Sequence, residues 1–356
     1  MLQKLQRFQL FGSRTLKTGI AVFLTALICG FFNLPVIFAV ITAIVTIEHT
    51  AADSLKKAMV RFPASAIGAL LATSFYGVFG KGAITFALAA MLTIAICHKL
   101  KLDDGILVAT ITAVAMIPDF QDHYFVSFFS RLGTTSIGIV ISTLVNFFLL
   151  PPNYLPDIQK NIQTLFNRAA VLMEMVSDSF CKEDKRSKRM TQRQYNQITV
   201  LLERTYQLSQ FQREEWKYHK HSNEEMRVYQ FAQKQLSALQ QIAYHLGNMQ
   251  YTTFGGDDFS EREKLILERM IRSFVEILKE PAHGIPESHF QLVKELDQMF
   301  WRWKEEHVEQ QSRFRHHLPP QTVLIYELLC LHDVIEELQE LASSRHAVIL
   351  NPSADK

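Results

Sequence analysis

Two arginines stand seventy residues apart, each at the edge of an apolar run: VRFPASAIG spans residues 60–68 and SRLGTTSIG spans 130–138. A guanidinium stays charged and grips a carboxylate through two parallel hydrogen bonds. Arg61 and Arg131 are therefore candidates for holding an organic anion at the two mouths of a path. An interfacial anchor is the simpler role for each. Glycine follows each arginine at the seventh position, Gly68 and Gly138, with Ser65, Ala66, Thr134, Thr135 and Ser136 between. Small residues at helical spacing let helices approach closely, which makes Gly68 and Gly138 candidate packing positions.

Glu48 and His49 end a second apolar run, with Asp53 soon after. Histidine titrates near neutral pH and acids embedded in membranes serve relays, so Glu48 and His49 could carry a coupling proton; hydrated loop residues are the alternative. Asp119, Asp122 and His123 form a matching cluster. Thr42, Thr46, Thr110 and Thr112 could offer hydroxyls to a substrate, although helical threonines also bond back to their own backbone. Cys29, Cys97, Cys181 and Cys330 have neither disulfide nor metal spacing. His219 with His221, and the pair His316-His317, do not read as a metal site, because residues two apart on a helix point away from each other. No glycine-rich phosphate loop follows a strand, and no nucleophile lies beside a base. The expectation is no catalytic residue, no cofactor, no metal, no nucleic-acid partner and no enzyme.

The surroundings of these residues are those of a membrane domain. Residues 1–150 hold 11 Lys+Arg and 6 Asp+Glu, whereas the remaining 206 hold 26 and 29. A charge-poor half of that length reads as lipid-embedded and the charged half as soluble. Apolar runs fall at 15–32, 34–47, 62–79, 82–97, 105–117 and 132–150. Several are short for a hydrocarbon core of about 30 Å, so tilt, snorkelling of Arg14 and Lys17, or broken helices must make up the difference. With the N-terminus inside, the inner loops carry nine basic residues and the outer loops only Lys81 and Arg131, which favours cytoplasmic termini in the cell membrane. No small-residue cleavage site follows the first run, which is expected to stay as a membrane helix.

The runs repeat. Ile41-Thr42-Ala43 returns as Ile111-Thr112-Ala113, seventy residues on, and LTALIC at 24–29 resembles LTIAIC at 92–97. Three segments per copy is an odd number, so the second copy enters the bilayer from the opposite side: an inverted 3+3 repeat, with a substrate site near the midplane where the copies meet. The second and fifth segments are short and have Pro35 and Pro118 at their ends, which points to that site.

After Pro151-Pro152 the pattern becomes amphipathic. Leu324, Leu328, Leu331, Ile335, Leu338 and Ala342 make one stripe, and Met226, Tyr229, Leu236, Leu239, Ala243 and Leu246 another. Helices near 157–180, 191–218, 222–250, 260–279, 287–309 and 321–343 are predicted to form an antiparallel bundle. The basic run KEDKRSKR at 182–189 could touch lipid headgroups or lie in solvent. The fold class expected is all-α, with a six-helix transmembrane domain over 1–152 and a cytoplasmic helical bundle over 153–350.

RTLKTGIAVFLTALI, the two arginine-to-glycine entries and above all RLGTTSIG resemble the bacterial aromatic acid exporter and fusaric acid resistance type proteins, in their short Bacillus-type branch. The resemblance covers essentially the whole chain. It implies efflux of small aromatic or other organic acids driven by an ion gradient. Larger relatives carry two such six-segment units, so this chain looks like one that must pair as a homodimer or higher homo-oligomer. Pro63 and Ala64 stand where the second copy has Gly133 and Thr134, which ties Arg131 more firmly to the family pattern than Arg61. The competing function is a membrane-anchored scaffold or sensor whose bundle binds a protein partner.

Overall fold

The computed structural model describes residues 12–117, 124–149, 151–181, 185–251, 259–281, 284–309 and 319–350. Asp119, Asp122, His123 and the His316-His317 pair lie outside the described residues. Among the described residues there are twelve α-helices and no strand. The first six are α1 (Ser13–Phe31), α2 (Val36–Thr46), α3 (Ala51–Phe79), α4 (Ala83–Lys99), α5 (Ile106–Met116) and α6 (Tyr124–Phe148). By length and composition α1, α3 and α6 can cross a membrane, while α2 and α4 are shorter apolar helices. At 1.5 Å per residue the eleven residues of α2 or α5 span only roughly 16 Å, about half a hydrocarbon core.

Two of these helices begin well before the apolar runs suggest. Thr50 caps α3 by accepting a hydrogen bond from the Asp53 N–H (3.1 Å), so helix forms from Ala51 through the charged turns that precede residue 62. Pro63 lies inside it without ending it. In α6, the aromatic YFVSFF continues the apolar surface upstream of residue 131. Arg61 and Arg131 consequently sit well inside their helices, not at the entrances.

The repeat is visible in backbone geometry. After α1, Asn33 takes a left-handed conformation (φ 53°), and the Leu34 N–H donates back to Cys29 O at 2.9 Å. After α4, Lys101 does the same (φ 57°), and the Leu102 N–H donates to Cys97 O, also at 2.9 Å. Both ends are left-handed caps of one type, sixty-eight residues apart. The glycines give a second correspondence. A Cβ on Gly68 would lie 2.3 Å from Ala109 O, and one on Gly138 would lie 2.5 Å from Ala39 O. Ala39 and Ala109 are themselves seventy residues apart, so the third helix of each copy packs on the middle helix of the other. The same exchange pairs Thr46 with Ser142 through their hydroxyls, and their counterparts Met116 and Ala72 within one apolar cluster.

The other helices are α7 (Leu155–Cys181), α8 (Lys185–Glu215), α9 (Asn223–Tyr251), α10 (Glu261–Lys279), α11 (Glu287–Glu309) and α12 (Pro320–Leu350). Neighbours pack in the ring α7, α9, α12, α11, α10 and back to α7. Phe166, Leu236, Leu239, Phe274, Leu328 and Leu331 fill the centre. Ile198 and Leu202 of α8 join this core, and Gly247 leaves room for the Tyr195 ring. Ser260 and Glu263 form a reciprocal capping box at the start of α10. Within the core, His289 is fully buried; its Nδ1 is 2.8 Å from Ser273 Oγ and its ring 5.3 Å from that of His332. Burial, and then the His332 charge, lower the His289 pKa from 6.5 to about 4.

By packing, the chain divides into Met1–Asn153 with Phe211–Lys220, and Tyr154–Gln210 with His221–Lys356. Residues 211–220, which sequence reading groups with the bundle, thus pack with the first six helices.

Candidate functional site

Arg131 is 5% exposed, on the second turn of α6, and its guanidinium carbon lies 3.6 Å from the centre of the Phe38 ring. Together they edge a cavity of about 150 Å³ that also meets Pro35, Met116, Val126, Ser127, Ser130 and Thr134. Pro35 caps the start of α2, Met116 ends α5, and the others stand on α6. Both short helices therefore end where α6 presents its arginine. Thr134 donates its hydroxyl hydrogen to Arg131 O (2.9 Å). A mostly apolar pocket with one guanidinium, an aromatic face and a few hydroxyls suits a small molecule with a ring and a carboxylate.

Arg61 occupies the other end of α2 and is 7% exposed. Its Nη2 donates to Glu48 Oε1 at 2.5 Å, its Nη1 to Thr46 O at 3.3 Å and its Nε to Asp104 O at 3.2 Å. Lys57 Nζ adds a second bond to Glu48 Oε2 at 3.0 Å. The two arginines thus lie at opposite ends of α2, one facing a cavity and one closed by an internal carboxylate. The His49 ring stacks on Phe211, centroids 5.2 Å apart. Neither arginine has the exposure expected of an anchor reaching for headgroups.

The threonines mostly serve their own helices. Thr42 donates to Phe38 O (2.9 Å), Thr46 to Thr42 O (2.8 Å) and Thr110 to Ile106 O (2.8 Å). Thr112 instead pairs with Ser65 Oγ across helices at 3.1 Å. None of the four lines the Arg131 cavity. Gly68 and Gly138 each sit where a neighbouring helix backbone leaves no room for a Cβ.

Sequence reasoning missed a buried polar group at the Arg61 end. Lys17, expected to snorkel, is 4% exposed and donates to Asn146 Oδ1 at 3.0 Å. Asn146 Nδ2 lies within hydrogen-bond distance of Glu48 O, Thr50 O and Ser54 Oγ, tying α6 to the turn before α3. An asparagine inside the apolar LVNFFLL was the available signal, since polar side chains in such helices need partners. Among the described residues no group of three or more histidines, cysteines or acids is placed to hold a metal.

Comparison with known proteins agrees with this architecture. Residues 9–149 match the family described as aromatic acid exporter family member 1. The whole chain is similar to a UPF0421 protein of Bacillus cereus, 46% identical over 341 residues and 96% of each chain. A UPF0421 protein of Halalkalibacterium halodurans is 38% identical, over 96% of this chain and 93% of its own. One of Staphylococcus saprophyticus is 37% identical, over 90% and 96%. The glycine crossings, the matched caps and the arginine pair all fall within the residues of the family match. The chain belongs to the UPF0421 proteins of the aromatic acid exporter family.

Proposed function

We propose that this protein exports small aromatic or related organic acids across the cell membrane, and that the Arg131 cavity is where the carboxylate is held. The observation that carries this reading is the Arg131 guanidinium laid over Phe38 at the edge of a cavity of about 150 Å³. Six helices in an inverted 3+3 arrangement form the membrane domain. The exchange of packing partners between residues seventy apart supports it, because two copies related in this way can rock about a shared site.

The termini lie on the cytoplasmic side, which makes the Arg131 cavity outward-facing and the Arg61 cluster inward-facing. Glu48 holds Arg61 while ionised. A proton on Glu48 frees that guanidinium for a substrate carboxylate, which links protonation of Glu48 to acid binding at that end. The functional form is a homodimer or a higher homo-oligomer in the bilayer, and the reaction is translocation with no chemical conversion.

Inside-out vesicles test the reading with a panel of hydroxybenzoates under an imposed proton gradient. Arg131→Ala is expected to lower flux at saturating gradient by about 100-fold, the effect of losing a charge-assisted bidentate contact of roughly 3 kcal/mol. Arg131→Lys keeps the charge but not the fork and falls between. No flux across the panel, with a soluble protein bound tightly to the bundle instead, would move the assignment to a membrane-anchored scaffold.

A further inference from the structure

Residues Phe211–Lys220 come from the charged half of the sequence yet pack with the first six helices. Side chains of Phe211, Glu215, Tyr218 and His219 make specific contacts there, Tyr218 with the ring of Phe147. Glu215, 1% exposed, accepts a hydrogen bond from the Ala51 N–H at 3.0 Å, at the first residue of α3. It also lies close enough to Lys17 for their charges to interact. His219, 3.0 Å from Glu215 Oε1, places its Nε2 2.9 Å from Phe147 O near the end of α6, and its ring packs on that of Phe147. Phe211 stacks on His49, the neighbour of Glu48.

The segment therefore fastens two different copies of the repeat at one end. His49 and Ala51 flank the turn between α2 and α3 in the first copy, and Phe147 belongs to α6 in the second. At the opposite end the cavity beside Arg131 is open, and none of these ten residues reaches it. A buried carboxylate on a helix N-terminus is a strong but reversible fastening, because it joins a charged hydrogen bond to the helix dipole.

We infer that Phe211–Lys220 is a strap that locks the Ala51 end of the six-helix unit shut through Glu215, and that it must release before a substrate can enter from that end. This rests on the export reading only for its transport consequence. The lock itself is a statement about access to Ala51, which is 1% exposed beneath Glu215.

The test uses the full-length chain with its native cysteines replaced. A single cysteine at Ala51 is treated with a membrane-impermeant methanethiosulfonate in inside-out vesicles. Modification is expected to be slow with Glu215 intact and to speed up about tenfold or more in Glu215→Ala, since a hydrogen bond to a charged group commonly shifts a local opening equilibrium by that factor. Glu215→Gln, which retains an acceptor for the Ala51 N–H, is expected in between and guards against a simple folding defect. Equal rates in all three would overturn the inference. In a second arm, cysteines at His49 and Phe211 are joined by a short, reducible bifunctional thiol reagent. Hydroxybenzoate flux should be lost on joining and recovered on reduction, and undiminished flux in the joined protein would also overturn it. If the unjoined protein moves no hydroxybenzoate at all, the export reading has failed, and the Ala51 rates alone decide the strap.

Discussion

Glu48 is a structural carboxylate to which the export reading gives a second role. It binds Arg61 and Lys57 together, and its own carbonyl is within reach of Asn146. A neutral amide keeps the shape and most hydrogen bonds but cannot take up a proton. Glu48→Gln is therefore expected to retain substrate exchange between equal pools while losing accumulation against a gradient. The check is counterflow against gradient-driven flux in one vesicle preparation, and coupled accumulation surviving in Glu48→Gln would assign the proton to another group. Arg61 and Arg131 were legible in the sequence because charge is conspicuous in an apolar run and the two stand at one repeat length. Phe38, Ser127 and Ser130 were not, because a phenylalanine or serine in a membrane helix carries no mark until folding turns it towards the arginine.

Among the elements, the caps after α1 and α4 state the repeat in backbone form. Left-handed backbone costs an ordinary L-residue roughly 1–2 kcal/mol, asparagine less, and glycine almost nothing. Lys101 is exposed and carries that cost at φ 57°. Lys101→Gly should therefore raise stability by about 0.5–1 kcal/mol, after allowing for the greater freedom of glycine in the unfolded chain, as read from thermal unfolding in detergent. In the bundle, His289 has its pKa lowered by burial to about 4, so the folded state holds fewer protons than the unfolded one between there and 6.5. Its contribution is complete above 6.5 and is lost as pH falls towards 4, amounting to about 3 kcal/mol across the window. Denaturant midpoints of the intact chain should fall over that range, and His289→Gln should flatten the slope. Four of the six helices expected after Pro152 were legible to within about two residues, whereas α8 starts six residues earlier and α12 ends seven residues later than expected. The starts of α3 and α6 were not legible, because a capping threonine and an aromatic stretch extend helix beyond the charge-free run that marks a membrane segment.

For the whole molecule, the odd number of helices per copy makes orientation a sharp question. Single cysteines at Asp103 and Asp122 answer it: with cytoplasmic termini, an impermeant reagent added outside cells should label position 122 and spare position 103. Labelling of 103 alone would invert the assignment of both arginine ends. The change in charge density near residue 150 lies close to the break after Asn153 between the two packed units. The allegiance of Phe211–Lys220 was not legible, because the amphipathic helix that leads into it ends at Glu215 and its partners, His49, Ala51 and Phe147, are distant in sequence.

Lys17 and Asn146 are partners separated by 129 residues. Ribosomes add roughly 5–20 residues each second, so α1 is synthesised on the order of 10 s before α6 arrives to satisfy its lysine. During that interval the ammonium must stay hydrated at the membrane surface or be shielded by the insertion machinery. The pairing that buries this charge in the finished protein therefore makes α1, synthesised well before α6, one of the last helices to settle.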